Sequence, residues 1–290
     1  MYDMRYMLPK KIELLLLEST PFGLRYADIK NKTIRAFISP RASFKELLKR
    51  PELNNSGVYV LFNRSSESGL PQAYIGEADV LSSRLPMHNK KDFWSEIIVF
   101  VAKDETLDKA GVRYIESVLV SRAKQDKLAD LENGNIPAIK NLSEANIAVM
   151  DEFIEDIVLL LSVLGYSIIR SKDHQENKSY PLLFIDSIGQ KAKGRETDEG
   201  FIVYEGSTAR AKEVESVAKW EMGIKTLKET LIKKGVLSLN QENNQYVFMQ
   251  DYVFSSPSSS AGMILGRPSN GRIEWKDKNK KTLKELQEIN

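Results

Sequence analysis

The chain alternates short apolar runs with polar breaks that carry glycine or proline. "KIELLLL", with its apolar core at 12–17, reads as a strand, and "PFG" at 21–23 supplies a turn. "TIRAFISPR" at 33–41 predicts a second strand. "SFKELLKRPEL" predicts a short helix with Ser43 as N-cap, stopped before Pro51. Two runs rich in β-formers follow, "GVYVLFN" at 57–63 and "QAYIGEA" at 72–78. The polar "RSSESGLP" between them predicts a hairpin with a long loop. "DVLSSRL" at 79–85 predicts a short helix, and "WSEIIVFVAK" at 94–103 a third strand. Thr106 is placed to cap the helix "LDKAGVRYIESVLVSRAKQ". "ANIAVMDEFIEDIVLLLSVLGY" at 145–166 repeats its apolar residues at helical spacing, and Gly165 closes it.

The pattern then lapses. "RSKDHQENKSYP" at 170–181 is polar and aperiodic, which sets a domain boundary there. Beyond it, "GFIVYEGS" at 200–207 and "YVFMQDYVF" at 246–254 predict strands. "SSPSSSAGMILGRPSNG" carries helix punctuation: Ser256 as N-cap, Pro257 at the first helical position and Gly266 past the end. "RIEWKD" at 272–277 is expected to resume as a strand. There is no internal repeat of fixed period. The expected organisation is α+β: a β-rich N-terminal extension at 1–50, a first domain at 51–170, a linker at 171–181, and a small α+β domain at 182–290.

Composition supports this division. At 290 residues the chain fits about two domains of ~150 residues. Hydrophobic content of 42% and charged content of 28% allow ordinary globular cores. The longest apolar runs are too short to span a bilayer and no signal-peptide pattern opens the chain, so a soluble, cytoplasmic protein without membrane contact is expected. Cysteine is absent and histidine occurs only at His88 and His174, which excludes disulfides, thiolate sites and a His/Cys zinc cluster. The net charge of +2 does not by itself announce a nucleic-acid binder. Its distribution is uneven. Residues 1–76 hold 12 Lys and Arg against 7 Asp and Glu, whereas residues 128–180 hold 4 against 9. "KDKNKKTLK" at 276–284 adds five lysines to one aspartate. A polyanion would favour the basic parts, and solvated surface explains the same lysines.

Three sets of residues carry candidate chemistry. Glu116 shares a helical face with Val112, Leu119 and Val120. A carboxylate there needs a partner, either a buried arginine or a cation, and carboxylate oxygens suit Mg²⁺. Arg84 and His88 lie four apart, an arrangement able to hold phosphate and stabilise developing charge, or simply a surface arginine beside a helix-end histidine. Tyr59 and Tyr74 alternate with apolar neighbours, as core tyrosines do. A phenol of pKa ~10 works as a base at neutral pH only where neighbouring cations lower it.

The order of these elements is more telling than any one of them. G-V-Y, Y-I-G, Arg84, His88 and an embedded Glu116 follow in sequence within residues 57–116, which resembles the GIY-YIG nuclease family. The resemblance implies a three-stranded antiparallel sheet flanked by helices. It implies Tyr59 as general base, Tyr74 as a phenol orienting water or phosphate, and Arg84 as the phosphate-stabilising group. By the same resemblance His88 assists proton transfer, Glu116 is the single ligand of Mg²⁺ or Mn²⁺, and Asn133 or Asn135 is a downstream substrate-binding asparagine. Two positions depart from the pattern. Val58 replaces the commoner isoleucine, and Pro86 between Arg84 and His88 disturbs the helix that would align them.

The C-terminal part resembles a domain of unknown function found behind GIY-YIG modules, and small domains of restriction and anti-phage systems, over about residues 182–286. No activity comes with that resemblance. A nucleic-acid role is expected from the serine-rich helix start at 255–260, whose backbone N–H groups would hold a phosphate, and from Lys278, Lys280 and Lys281 nearby. The expected function is that of a metal-dependent DNA endonuclease in restriction, defence or repair. The alternative is a GIY-YIG fold that binds DNA or acts as an adaptor without hydrolysis. A third reading makes Glu116 and Arg84 a structural ion pair. The oligomeric state stays open, a homodimer included.

Overall fold

The strand with the most continuous apolar sequence lies at the centre of the fold. Gly57–Asn63 (β4) is buried at six of its seven positions, because its sheet is covered on both faces. The computed structural model describes residues 9–64, 70–104, 106–137, 142–170, 180–187, 189–197, 200–211 and 218–288, with side chains from 224 onward in the last stretch. The described residues form two compact units, one reaching to Arg170 and the other starting at Tyr180.

The first unit is built on a seven-stranded sheet. Its strands are β1 (Ile12–Leu16), β2 (Arg25–Ile29), β3 (Ile34–Pro40), β4, β5 (Gln72–Ala78), β6 (Glu96–Ala102) and β7 (Asp130–Leu131), in the order β1-β2-β3-β6-β4-β5-β7. Every pairing is antiparallel except that of β5 with β7. The expected three-stranded sheet is therefore its β6-β4-β5 core. The N-terminal strands extend that core within the same sheet, because β3 pairs with β6 over seven residues, from Ile34 opposite Ala102 to Pro40 opposite Glu96. β2 escaped the sequence pattern because its charges are used internally. Arg25 reaches Glu96 at 3.5 Å, and Asp28 holds Arg35 at 2.7 Å.

Strand alternation sorts the side chains onto two faces. Val58, Val60, Phe62, Ala73 and Ile75 pack with α3 (Lys109–Asp126) and α4 (Glu144–Val163). Tyr59, Leu61, Val99 and Val101 face α1 (Phe44–Leu47), α2 (Leu81–Arg84) and Trp94. Helix ends differ from expectation in two places. Ser43 precedes α1 but makes no cap, since its hydroxyl donates to Glu18 at 2.9 Å. Asp108 rather than Thr106 caps α3, accepting from the Gly111 N–H at 2.7 Å. Gly165 follows α4 with φ 83, as its C-terminal role requires.

The second unit has its own core around Phe201, Phe248, Trp275 and α6 (Pro257–Leu265). One sheet contains β8 (Leu183–Ser187), β9 (Gln190–Thr197), β10 (Gly200–Val203) and β14 (Tyr252–Phe254), in the order β14-β10-β9-β8. The other runs β11-β13-β12, from Thr208–Arg210, Gln245–Phe248 and Leu237–Asn240. The run at 246–254 is thus two strands in different sheets. Helix α5 (Ala218–Lys233) precedes β12. Residues 271–274 form helix α7 (Gly271–Glu274) rather than a strand, with Asn270 capping it through Arg272 N–H. A last helix, α8, spans Leu283–Glu288. Among the described residues no helix is long and apolar enough to cross a membrane.

Gly57 is where β4 meets its neighbours most closely. A Cβ there would sit 2.5 Å from the Phe100 carbonyl oxygen and 2.6 Å from Leu81 Cδ1. The first contact is with backbone, which moves only by bending the sheet. Gly57→Ala should cost about 1–3 kcal/mol of stability, as overpacking does. Urea unfolding of parent and variant measures it, and coincident midpoints would refute this packing account.

Candidate active site

The antiparallel register places Tyr59 directly opposite Gly76. With no side chain at 76, the Tyr59 ring crosses over that position toward the outer strand. A Cβ on Gly76 would fall 2.5 Å from Tyr59 Cζ and Oη. The glycine of "YIG" therefore exists for the tyrosine of "GVY". Tyr74 stands two residues along the same face of β5, its ring centroid 6.3 Å from that of Tyr59.

His88 completes the group. Pro86 converts the chain after α2 into a 3₁₀ turn at Leu85–Lys90. In such a turn residues three apart share a face, so Leu85 and His88 both point inward and are buried. The proline thus changes the helix type without removing His88 from the site. Tyr59 Oη and His88 Nε2 share a hydrogen bond of 2.7 Å. The His88 ring lies 5.1 Å from Tyr59 and 5.5 Å from Tyr74. The Trp94 indole N–H donates to the His88 carbonyl at 3.0 Å and fixes the turn. Lys91 places its ammonium 3.8 Å from the Tyr74 ring centroid.

Electrostatics define the protonation states. Burial raises the Tyr59 pKa above the ordinary phenol value, nearby Tyr74 adds to this, and Arg84 opposes both. Arg84 by itself does not bring the phenol into the neutral range, and Tyr59 is protonated at neutral pH. Burial, with Lys91 and Arg84 adding to it, lowers His88 to about 4, so its imidazole is neutral. Arg84 is half-buried against the two phenols. Hydrogen bonding to Tyr59 is the main cause that holds its charge.

Glu116 arrives from the other side of the sheet. It lies at the flank of the buried stripe of α3, half-buried rather than central. Burial first and the Glu77 carboxylate second, opposed by Arg84 and Arg113, raise its pKa to about 7. No ion pair within salt-bridge distance joins Glu116 to Arg84 or to any other described residue. The structural ion pair is therefore not formed. Glu77, the residue after "YIG", was missed from sequence. Strand alternation sends it to the α3 side of β5, where it lies 3.5 Å from Arg113 Nε. Its signal was its place on a two-faced strand, polar where Ala73 and Ile75 are buried.

The outer edge of β5 is where the two sides communicate. β7 pairs with it only at Gln72 and Ala73. Asn133 then acts as a short false strand: its side-chain oxygen accepts from Ile75 N–H at 2.9 Å, and its amide donates to Ile75 C=O at 2.7 Å. This separates the two asparagines. Asn133 is fixed to the site's edge with its amide engaged, while Asn135 is exposed. Two bonds from α3, Ser117 to Pro137 C=O and Lys124 to Gly134 C=O, hold the same loop.

In the second unit the expected phosphate cradle at 255–260 is closed. Ser256 accepts the Ser259 N–H at 3.1 Å, Ser258 accepts the Gly271 N–H at 3.1 Å, and Gly271 packs onto Pro257. The helix start therefore offers no free cluster of donors. Lys278, Lys280 and Lys281 are exposed on a turn organised by Asp277, which accepts from Lys281 N–H at 2.9 Å.

A cation fits the first site by one criterion of this structure. Glu116 and Glu77 are close enough for one carboxylate to raise the other's proton affinity, and a divalent ion relieves that repulsion. No cluster of three or more acidic, histidine or cysteine residues with metal-ligand geometry occurs among the described residues, so phosphate and water would supply the remaining ligands. Between the ordinary carboxyl value and about 7 the folded chain keeps a Glu116 proton that the unfolded chain has lost. Stability is therefore lost as pH rises through that window. Glu116→Gln should gain on the order of 1–2 kcal/mol at pH 8 in EDTA, after discounting for partial exposure, and almost nothing near pH 4.5. Denaturant titrations at both pH values check the sign, and a gain only at low pH would refute it.

Comparison with known proteins bears on the second unit alone. No curated protein and no solved structure matches the chain. No GIY-YIG family model was found on the residues that carry the resemblance. Residues 183–287 match the model of a family described as a domain of unknown function, DUF4357, which extends over most of the second unit.

Proposed function

We propose that the first unit is a phosphodiester hydrolase acting on DNA. One observation carries this reading: Tyr59, Tyr74, Arg84, His88 and Glu116, chosen for their order in the chain, interact around one edge of β5. In this reading Arg84 binds the scissile phosphate and balances charge as the attacking oxygen adds. Tyr74, with Lys91 on its ring, orients the phosphate or the water. Tyr59 cannot act as a free phenolate. It takes a proton from water only as it passes its own to neutral His88 Nε2 along the 2.7 Å bond. Glu116 and Glu77 would hold Mg²⁺ or Mn²⁺, which when bound supplies Lewis-acid polarisation of the phosphate.

A second reading has its own support. Tyr59 is fully buried, which suits a phenol that packs the site of a DNA-binding module without hydrolysis. Incubating the protein with plasmid DNA and Mg²⁺ or Mn²⁺, with and without EDTA, separates the two. The hydrolase reading expects cation-dependent cleavage, and DNA binding without cleavage supports the other.

Single variants and one double variant probe the roles. Glu116→Ala should lower cleavage at least 100-fold while DNA affinity in EDTA changes little. Parental cleavage by that variant would refute the ligand role. His88→Ala and Tyr59→Phe should each lower cleavage about 100-fold, and the double variant little further, because the two residues work as one relay. Multiplicative losses would show them to be independent. Mn²⁺ affinity, measured by calorimetry, should rise about tenfold per pH unit below about 7 and level off above it, since the cation displaces the Glu116 proton. A flat profile would place the cation elsewhere.

A further inference from the structure

The second unit contains a cavity of about 520 Å³, within the range that holds a small ligand. It lies where four chain segments end: the β8–β9 turn, the end of β11, the β12–β13 turn and the residues after α6. Leu265 is its buried apolar wall. Two guanidiniums, Arg210 and Arg267, and four carboxamides, Gln190, Asn243, Asn244 and Gln245, supply most of its polar lining, and no carboxylate is among the described lining residues. Glu274, outside the cavity, holds Arg267 at 2.7 Å and so orients its fork. The Arg210 backbone carbonyl accepts from Lys228, but its side chain is exposed and makes no salt bridge within the described residues. Asn244 adopts φ 48 in the left-handed region, which turns the β12–β13 loop, and the Gln245 amide is tied to the Gly189 carbonyl.

Guanidinium forks match phosphate oxygens in pairs, and carboxamides carry the donor and acceptor edge that base edges require. With Arg267 balanced by Glu274, Arg210 is the lining cation without a salt bridge among the described residues, and its charge favours an anionic ligand. We propose that this cavity binds a nucleotide unit, with Arg210 and Arg267 on its phosphate and the Asn243–Gln245 loop facing its base. The shared chemistry is that of a nucleotide phosphate, supplied either by a single-stranded nucleic acid or by a free mononucleotide. The inference does not rest on the hydrolase reading, because the cavity belongs to the other unit and binding is measured without metal.

The test uses the full chain in EDTA, with fluorescence anisotropy of a labelled 12-nucleotide single strand, and a 5′-mononucleotide and its unphosphorylated nucleoside as competitors. Binding of the strand or the mononucleotide, but not the nucleoside, is expected, and the stronger of the two identifies the source. Arg210→Ala should weaken binding at least tenfold and reduce the salt slope by about one. Arg210→Lys should recover part of the loss, and Lys284→Ala, outside the cavity, should bind as the parent does. Arg210 is exposed, so these variants leave the core intact, and matched thermal melts verify this. Parental affinity in Arg210→Ala, equal competition by the nucleoside, or no binding of either phosphorylated probe would overturn the proposal.

Discussion

The first unit depends on one steric relation, the Tyr59 ring lying across Gly76. Any side chain at 76 would occupy the space of the phenol, so the register of β4 on β5 and the direction of the phenol are the same constraint. A slip of one residue would turn Tyr59 to the α3 face and replace it with an aliphatic neighbour. The sheet prevents that slip because both faces are buried and every misplaced residue would be felt. Gly57, pressed on the Phe100 carbonyl, tightens the same strand against β6.

Around that relation, each group acquires its character from its surroundings. Tyr59 and His88 sit together in a buried environment that disfavours charge on either, and this makes them proton partners rather than an ion pair. Arg84 is the nearby fixed cation. Glu116 is raised to about 7 by burial and by Glu77, leaving a carboxyl poised between its two states at neutral pH. An ordinary surface cluster would show none of these shifts. The second unit differs in kind: its polar groups gather at loop ends around a cavity, and its helix start is spent on internal contacts.

Much of the fold was legible in the residues. The hairpin 57–63 and 72–78, the strand at 94–103, the helix ended by Gly165 and the Ser256–Gly266 helix each carry a local reason that tertiary packing did not override. The failures have specific causes. β2 was hidden because Arg25 and Asp28 find partners across the sheet. "RIEW" has β-favouring residues, yet Asn270 caps a helical turn and Gly271 fits closely against Pro257. Thr106 lost to Asp108 because capping is decided by which oxygen meets the Gly111 N–H.

The inventory was readable along the chain: two units with a polar boundary, two tyrosines beside glycines, a lone arginine–histidine pair and a carboxylate on a largely apolar helix. These follow from chain-local physics, namely periodicity, backbone freedom and the solvation cost of charge. What each group became depended on the folded arrangement, the tertiary structure. It brought Glu77 to Glu116, turned Pro86 from an obstacle into the 3₁₀ turn that delivers His88, assigned Asn133 to the edge of β5, and closed the serine-rich helix start. These partners lie 13 to 58 residues apart in the chain, from Ser258 with Gly271 to Ile75 with Asn133, and no local pattern encodes those distances.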